Sequence, residues 1–170
     1  MKRLITLLAV VLAAAASSAA VARSDASCSG AQLKGTFSVV RGSAGAGNIT
    51  YKLTLRNVST RICTVTGLPQ GRLLGKTGKA LPTHVKAAFP GGLTAILVRL
   101  APGATTFATA RFSPDVPGVG EPTAGTKCEP TAWSFRVTGQ GGGTTLVKLT
   151  PPTPVCEHGQ LLFSAYSVKS

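Results

Sequence analysis

Cys28, Cys63, Cys128 and Cys156 all follow an apolar leader, and each successive pair straddles a glycine-rich stretch. Facing residues of a β-hairpin are equidistant from its turn. Cys28 and Cys63 are centred between residues 45 and 46, inside "GSAGAG" at 42–47, and Cys128 and Cys156 are centred on Gly142, inside "GQGGGTT" at 139–145. The spacing predicts two disulfides, Cys28–Cys63 and Cys128–Cys156, each closing the open end of a hairpin. Hairpin neighbours satisfy the Cα separation of about 4.4–6.8 Å that such a bond needs, and loops of this size give roughly 3–4 kcal/mol per bond on the chain-entropy model. Tetrathiolate zinc sites bring their ligands in close pairs. These four are far apart, so no metal site is expected, even with His158 two residues after Cys156.

An even cysteine count implies disulfides only in an oxidising compartment, and the N-terminus supplies the route there. Lys2 and Arg3 precede a short apolar run over residues 4–16, and "AVA" at 20–22 offers a cleavage site after Ala22. Residues 1–22 are expected to be a signal peptide and 23–170 a single exported domain, secreted or held at the cell envelope, with no transmembrane segment. The residues before Cys28 lack the apolar residue and small pair that lipid attachment usually requires. The chain carries 18 Lys and Arg against 5 acids. Losing Lys2 and Arg3 with the leader leaves a formal charge of about +11, which attracts polyanions such as a membrane surface or wall polymer. The charge is dispersed, with no lysine–arginine cluster, so no specific nucleic acid is expected.

Short alternating runs punctuated by Gly, Pro and Asn dominate the rest. In "ITYKLTLRN", Ile49, Tyr51, Leu53 and Leu55 face one side and Lys52 and Arg56 the other, as in a half-buried strand. "WSFRV" places Trp133, Phe135 and Val137 inward, and "LTAILVRL" at 93–100 is apolar enough for a strand covered on both sides. Further strands are expected at 33–40, 61–66, 70–75, 79–83, 105–112, 145–150 and 160–168. Many short strands with turns between them indicate an all-β antiparallel sandwich. "HVKAAFPGG" at 84–92 and "SPDVPGVGEPTAGTK" at 113–127 read as loops. Pairing about Gly142 sets Phe135 against Leu149, Val137 against Val147 and, on the outward side, Arg136 against Lys148. In the first hairpin Leu33, Phe37, Val39, Tyr51 and Leu53 share a face only if the turn centres on a residue. The cysteines centre between two, so a bulge or loop offset must absorb one residue.

No catalytic motif survives inspection. "QGRLLGKTGK" at 70–79 ends like a phosphate-binding loop, but Gln70 stands where the first glycine belongs, and Pro82 forbids the helix that should follow. It reads as a hairpin turn. "GSAGAG" leads into a strand and has the wrong glycine gaps for a dinucleotide site. No G-x-S-x-G surrounds any serine, and only His84 and His158 offer imidazole. The Cys128–Cys156 bond would bring Glu129 and Glu157 near each other as exposed acids. Asn48 and Asn57 head N-x-[ST] sequons. The chain is not expected to be an enzyme or to need a cofactor.

The succession of an early cysteine, "GSAGAG", "LRNVSTRICTVTGLP", "LLGKTGKAL", "VRLAPGATTFATARFS", Cys128 and "PVCEHGQLLFSAY" resembles domain of unknown function family 4232. The resemblance spans most of residues 28–168. It implies an exported protein of a kind found mostly in actinobacteria, with an immunoglobulin-like sandwich and no established catalytic residues. The expected function is a binding module for an anionic cell-envelope polymer or lipid surface, contacted through Lys52, Arg56, Arg136 and Lys148. The alternatives are a protein-interaction or inhibitor module using loops 84–92 and 113–127, or a hydrolase built on His84 or His158.

Overall fold

The computed structural model describes residues 25–91, 96–123 and 127–168; the expected leader, residues 1–22, lies outside them. Ten strands follow in order: β1 (Leu33–Val39), β2 (Ile49–Asn57), β3 (Cys63–Val65), β4 (Gln70–Leu74), β5 (His84–Ala87), β6 (Val98–Leu100), β7 (Thr105–Phe112), β8 (Ala132–Thr138), β9 (Thr144–Thr153) and β10 (Gln160–Phe163). Eight of them form one sheet in the order β4-β8-β9-β1-β2-β7-β10-β5, and β3 pairs with β6. The β-rich expectation holds, but the purely antiparallel sandwich does not. The β1–β9 and β5–β10 ladders are parallel; β1 has β2 on one edge and the β8–β9 hairpin on the other.

The sheet curls on itself. Strands β8 and β10 stand five places apart, about 24 Å in a flat sheet at roughly 4.8 Å per step. Yet the rings of Phe135 and Phe163 are 5.8 Å apart, with Phe37 at 5.7 Å from the first and 5.9 Å from the second. Tyr51 extends this cluster, 5.6 Å from Phe37 and 5.2 Å from Phe112. The edge strands β4 and β5 nearly meet: Leu81 N–H donates to the Leu73 carbonyl at 2.9 Å, and Leu73 N–H to Thr83 Oγ1 at 2.9 Å, one residue before β5. The result is close to a barrel.

Both expected disulfides form, with Cα separations of 4.9 Å for Cys28–Cys63 and 5.5 Å for Cys128–Cys156. The first does not close a ladder. Asn57 ends β2, and its buried amide donates to the carbonyls of Arg61 (2.7 Å) and Leu100 (3.0 Å) while accepting from Ser59 N–H at 3.0 Å. That pins the turn carrying the chain out to β3. Buried in this way, Asn57 is no glycan acceptor in the folded chain. Cys28 instead meets Cys63 through a parallel bridge of Ser27 with Thr64, so no bulge is required.

The second bond does close a hairpin, but its turn centres on Gly141, since Gly139 N–H donates to the Gly143 carbonyl at 3.0 Å. Consequently Phe135 faces Val147, Arg136 faces Leu146 and Lys148 faces Ser134; the Arg136–Lys148 opposition is wrong. The register then shifts between Ala132 and Ser134, with Ala132 opposite Thr153 and the extra residues on β9. Trp133, at this irregularity, is exposed, where an inward ring was expected. "HVKA" is strand β5 rather than loop, whereas 79–83 makes only an isolated bridge, Leu74 with Ala80. Gly75 N–H donates to the Lys79 carbonyl at 2.9 Å, so the 70–79 motif is the expected turn. Among the described residues of 93–100, Val98–Leu100 is strand and Ile96 and Leu97 are exposed; 93–95 lie outside them.

Phe37 touches both ends of the curl. Phe37→Ala is expected to destabilise the protein by about 3–5 kcal/mol, read as a lower denaturant midpoint with intact disulfides. A cost near zero would mean the curl does not depend on this ring.

Candidate functional site

The outward side of the large sheet gathers cations. On β2, Lys52 and Arg56 point away from the buried Tyr51, Leu53 and Leu55, as alternation requires. Arg56 stands opposite Lys34 of β1. At the far side, Arg72 of β4 stands opposite Arg136 of β8, which in turn faces Leu146 of β9. Strands β9 and β1 are parallel with Phe37 beside Leu149. Continued by three residues, that register sets Leu146 beside Lys34, and a 2.8 Å hydrogen bond from Thr145 Oγ1 to the Leu33 carbonyl holds the same alignment. One row therefore crosses five consecutive strands: Arg72, Arg136, Leu146, Lys34, Arg56. Lys148 and Lys52 lie outward one pleat or more along their strands.

All four cations named from the sequence are thus on this sheet face, although Arg136 and Lys148 are not partners. Lys34 and Arg72 were missed. Each is exposed on its strand, but their place in a row follows from strand order, which no local pattern encodes. Like charges directly opposite one another repel, and the face has two such pairs, Arg72–Arg136 and Lys34–Arg56. Arg56 Nε donates to the Gly103 carbonyl at 3.1 Å, Lys52 Nζ lies 4.4 Å from the Phe107 ring centroid, and Lys76 Nζ lies 5.4 Å from that of Trp133. Among the described residues, the ion pairs are Arg99–Asp25 and those of His158 with Glu121 and Glu129. None involves this face.

Three of the five acids gather instead beside the Cys128–Cys156 bond. Glu121, in the proline- and glycine-rich loop, is buried, and its carboxylate accepts from the backbone N–H groups of Gly118 (2.5 Å), Glu157 (2.9 Å) and His158 (2.5 Å). Glu157 and His158 both adopt left-handed backbone, φ 55° and 57°. This conformation is costly for residues with a Cβ, and here it accompanies two successive N–H groups directed at one carboxylate. His158 Nδ1 lies 3.6 Å from Glu121 Oε1 and 4.0 Å from Glu129 Oε1, while Nε2 is 3.0 Å from the Val119 carbonyl.

Glu157, expected beside Glu129, instead accepts from Gln160 Nε2 at 2.6 Å. His84 is exposed on β5. Donor atoms of Glu121, Glu129 and His158 lie within 4.8 Å of one another, a set that could ligate a divalent cation. The cysteines beside them are bonded to each other.

Burial pushes the Glu121 carboxyl up, but the three backbone N–H groups and then His158 outweigh it, and its pKa falls below the usual glutamate value. For Glu129, burial, then the neighbouring Glu121 charge and a hydrogen bond to that carboxyl, push the pKa up. The signs are therefore opposite. Glu121 stabilises above the unfolded glutamate value of about 4.3 and loses that contribution as pH falls through its lowered pKa. The contribution of Glu129 is present below about 4.3 and is lost as pH rises through its raised pKa. Glu129→Gln is expected to raise Tm near neutral pH, the gain shrinking on acidification, whereas Glu121→Gln lowers Tm. Thermal melts across that range check both; a pH-independent effect of Glu129→Gln contradicts the assignment.

Among the described residues, no helix is long and apolar enough to cross a membrane. No curated protein and no solved structure matches the chain. The model of one family does, aligning over residues 28–166, from the first cysteine to beyond β10. That span covers well over half of the 170 residues, and the chain belongs to the family described as Domain of unknown function (DUF4232).

Proposed function

We propose that the protein is an exported, disulfide-bonded β module that binds anionic material of the cell envelope through the outward face of β4, β8, β9, β1 and β2. The supporting observation is the pair of direct cation–cation oppositions, Arg72–Arg136 and Lys34–Arg56, on a face without an ion-paired carboxylate among the described residues. Such pairs repel in the free protein, and a bound polyanion relieves that repulsion. Both disulfides agree with an oxidising compartment, and the leader "MKRLITLLAVVLAAAASSAAVA" provides the means of export. The reading assigns no catalytic step and needs no cofactor.

Polyphosphate serves as a soluble polyanionic probe. A cation near an anionic surface contributes about 1 kcal/mol, so replacing Arg72 and Arg136 together by Gln should weaken binding about thirtyfold. Screening shortens from about 10 Å at 0.1 M salt to about 3 Å at 1 M, so binding should fall steeply across that range. Binding to neither polyphosphate nor anionic vesicles, or binding that salt does not weaken, refutes the reading.

A second reading has its own observation. Phe89 is 73% exposed and Val119 98% exposed, and they lie in the two segments first read as loops, 84–92 and 113–127. Phe89 also lines a cleft with Thr50, Ala88, Thr109, Arg111 and Leu162. A protein partner would bury these side chains, and Phe89→Ser with Val119→Ser should then abolish its capture while leaving polyphosphate binding intact.

A further inference from the structure

We propose that the anionic partner of the cationic face is a lipid bilayer, with Leu146 and Trp133 entering its interfacial layer; this rests on the reading above and names its ligand. The row Arg72–Arg136–Leu146–Lys34–Arg56 is interrupted by an apolar side chain at its centre, and Leu146 is 60% exposed. Strand β9 is the third of the five strands. On the outer side of a curled sheet the neighbours of any strand fall away on both sides. A flat surface laid against β9 therefore meets Leu146 first, with Arg136 on one shoulder and Lys34 on the other; Arg72 and Arg56 lie farther round the curl.

Trp133 adds a second projecting apolar group. It lies at the register shift between Ala132 and Ser134, 40% exposed, with Lys76 Nζ 5.4 Å from its ring centroid. Tryptophan with flanking cations is the composition of a bilayer interface, where the ring sits at headgroup depth and long basic side chains reach the phosphates.

A soluble polyanion would leave Leu146 without a partner. A flat anionic bilayer engages both kinds of group at once. Its phosphates meet the cations on the shoulders, and its acyl boundary takes Leu146. Shallow insertion of apolar side chains together with attraction to anionic headgroups is the general form of interfacial binding. The cations alone would hold the protein against the surface, and the two apolar side chains would give it depth.

Trp133 is the single tryptophan of the chain and therefore reports on its own depth. The protein, with both disulfides intact, is titrated with phosphatidylglycerol–phosphatidylcholine vesicles, with pure phosphatidylcholine vesicles and with polyphosphate. A blue-shifted Trp133 emission, quenched by brominated acyl chains, is expected only with the anionic vesicles. Leu146→Ser should weaken vesicle binding about tenfold and leave polyphosphate affinity unchanged; the site is exposed, so folding is unaffected. Arg72→Gln with Arg136→Gln should weaken binding to both probes. Vesicle binding that leaves Trp133 emission unmoved overturns the inference, as does Leu146→Ser binding vesicles like the parent protein. Binding of polyphosphate without vesicles also overturns it but leaves the broader reading standing. Binding of neither removes both.

Discussion

Phe37 packs between Phe135 and Phe163, and through it strands that are distant along the sheet come into contact. An eight-stranded sheet has two edges and two faces, and an acid-poor chain with few aromatic residues has little with which to cover them. Curling solves both problems: one face becomes the interior, and the edges approach. The aromatic cluster draws its members from β1, β2, β7, β8 and β10, so its rings join strands from both halves of the sheet. With the interior filled in this way, the outward positions of β4, β8, β9, β1 and β2 are largely polar or charged, and Leu146 and Trp133 are the exposed large apolar side chains on those strands.

The disulfides act outside this core. Each ties down a segment that the large sheet does not hold: Cys28–Cys63 fixes the N-terminal segment against β3, and Cys128–Cys156 fixes the exit of β9 against the approach to β8. Glu121 does similar work without a covalent bond. The N–H groups of Glu157 and His158 fasten its loop to the turn after Cys156, and that of Gly118 braces the loop itself. The buried amide of Asn57 holds the remaining excursion, between β2 and β3. Loops that lack apolar anchors are secured in each case by one polar side chain or one sulfur pair.

What was legible in the sequence was what depends on short range. The alternation of Tyr51, Leu53 and Leu55 against Lys52 and Arg56 requires only the pleat, and both cysteine pairs followed from their spacing about glycine-rich stretches. Register was not legible, because the turn closed by Gly139 and Gly143 is centred one residue away from the midpoint of the cysteines and the ladder shifts again between Ala132 and Ser134. Strand β5 was missed because its partner, β10, lies more than seventy residues away and "HVKA" carries too few apolar residues to declare itself. The cationic row failed for the same reason. Arg72 and Lys34 become neighbours of the named cations only through the strand order. The burial of Glu121 was not legible either, since the left-handed pair that meets its carboxylate has no sequence signature.

The two charge groups also sit at different ends of one ribbon. Arg136 and Leu146 lie near the Gly141 turn, whereas Glu121, Glu129 and Glu157 surround the disulfide at the opposite extremity. The β8–β9 hairpin is therefore an electric dipole with its positive pole at the glycine bend. In the proposed encounter an anionic plane would attract the cations of this ribbon and repel the carboxylates beside the disulfide, so the separation of charge would bias the approach before contact.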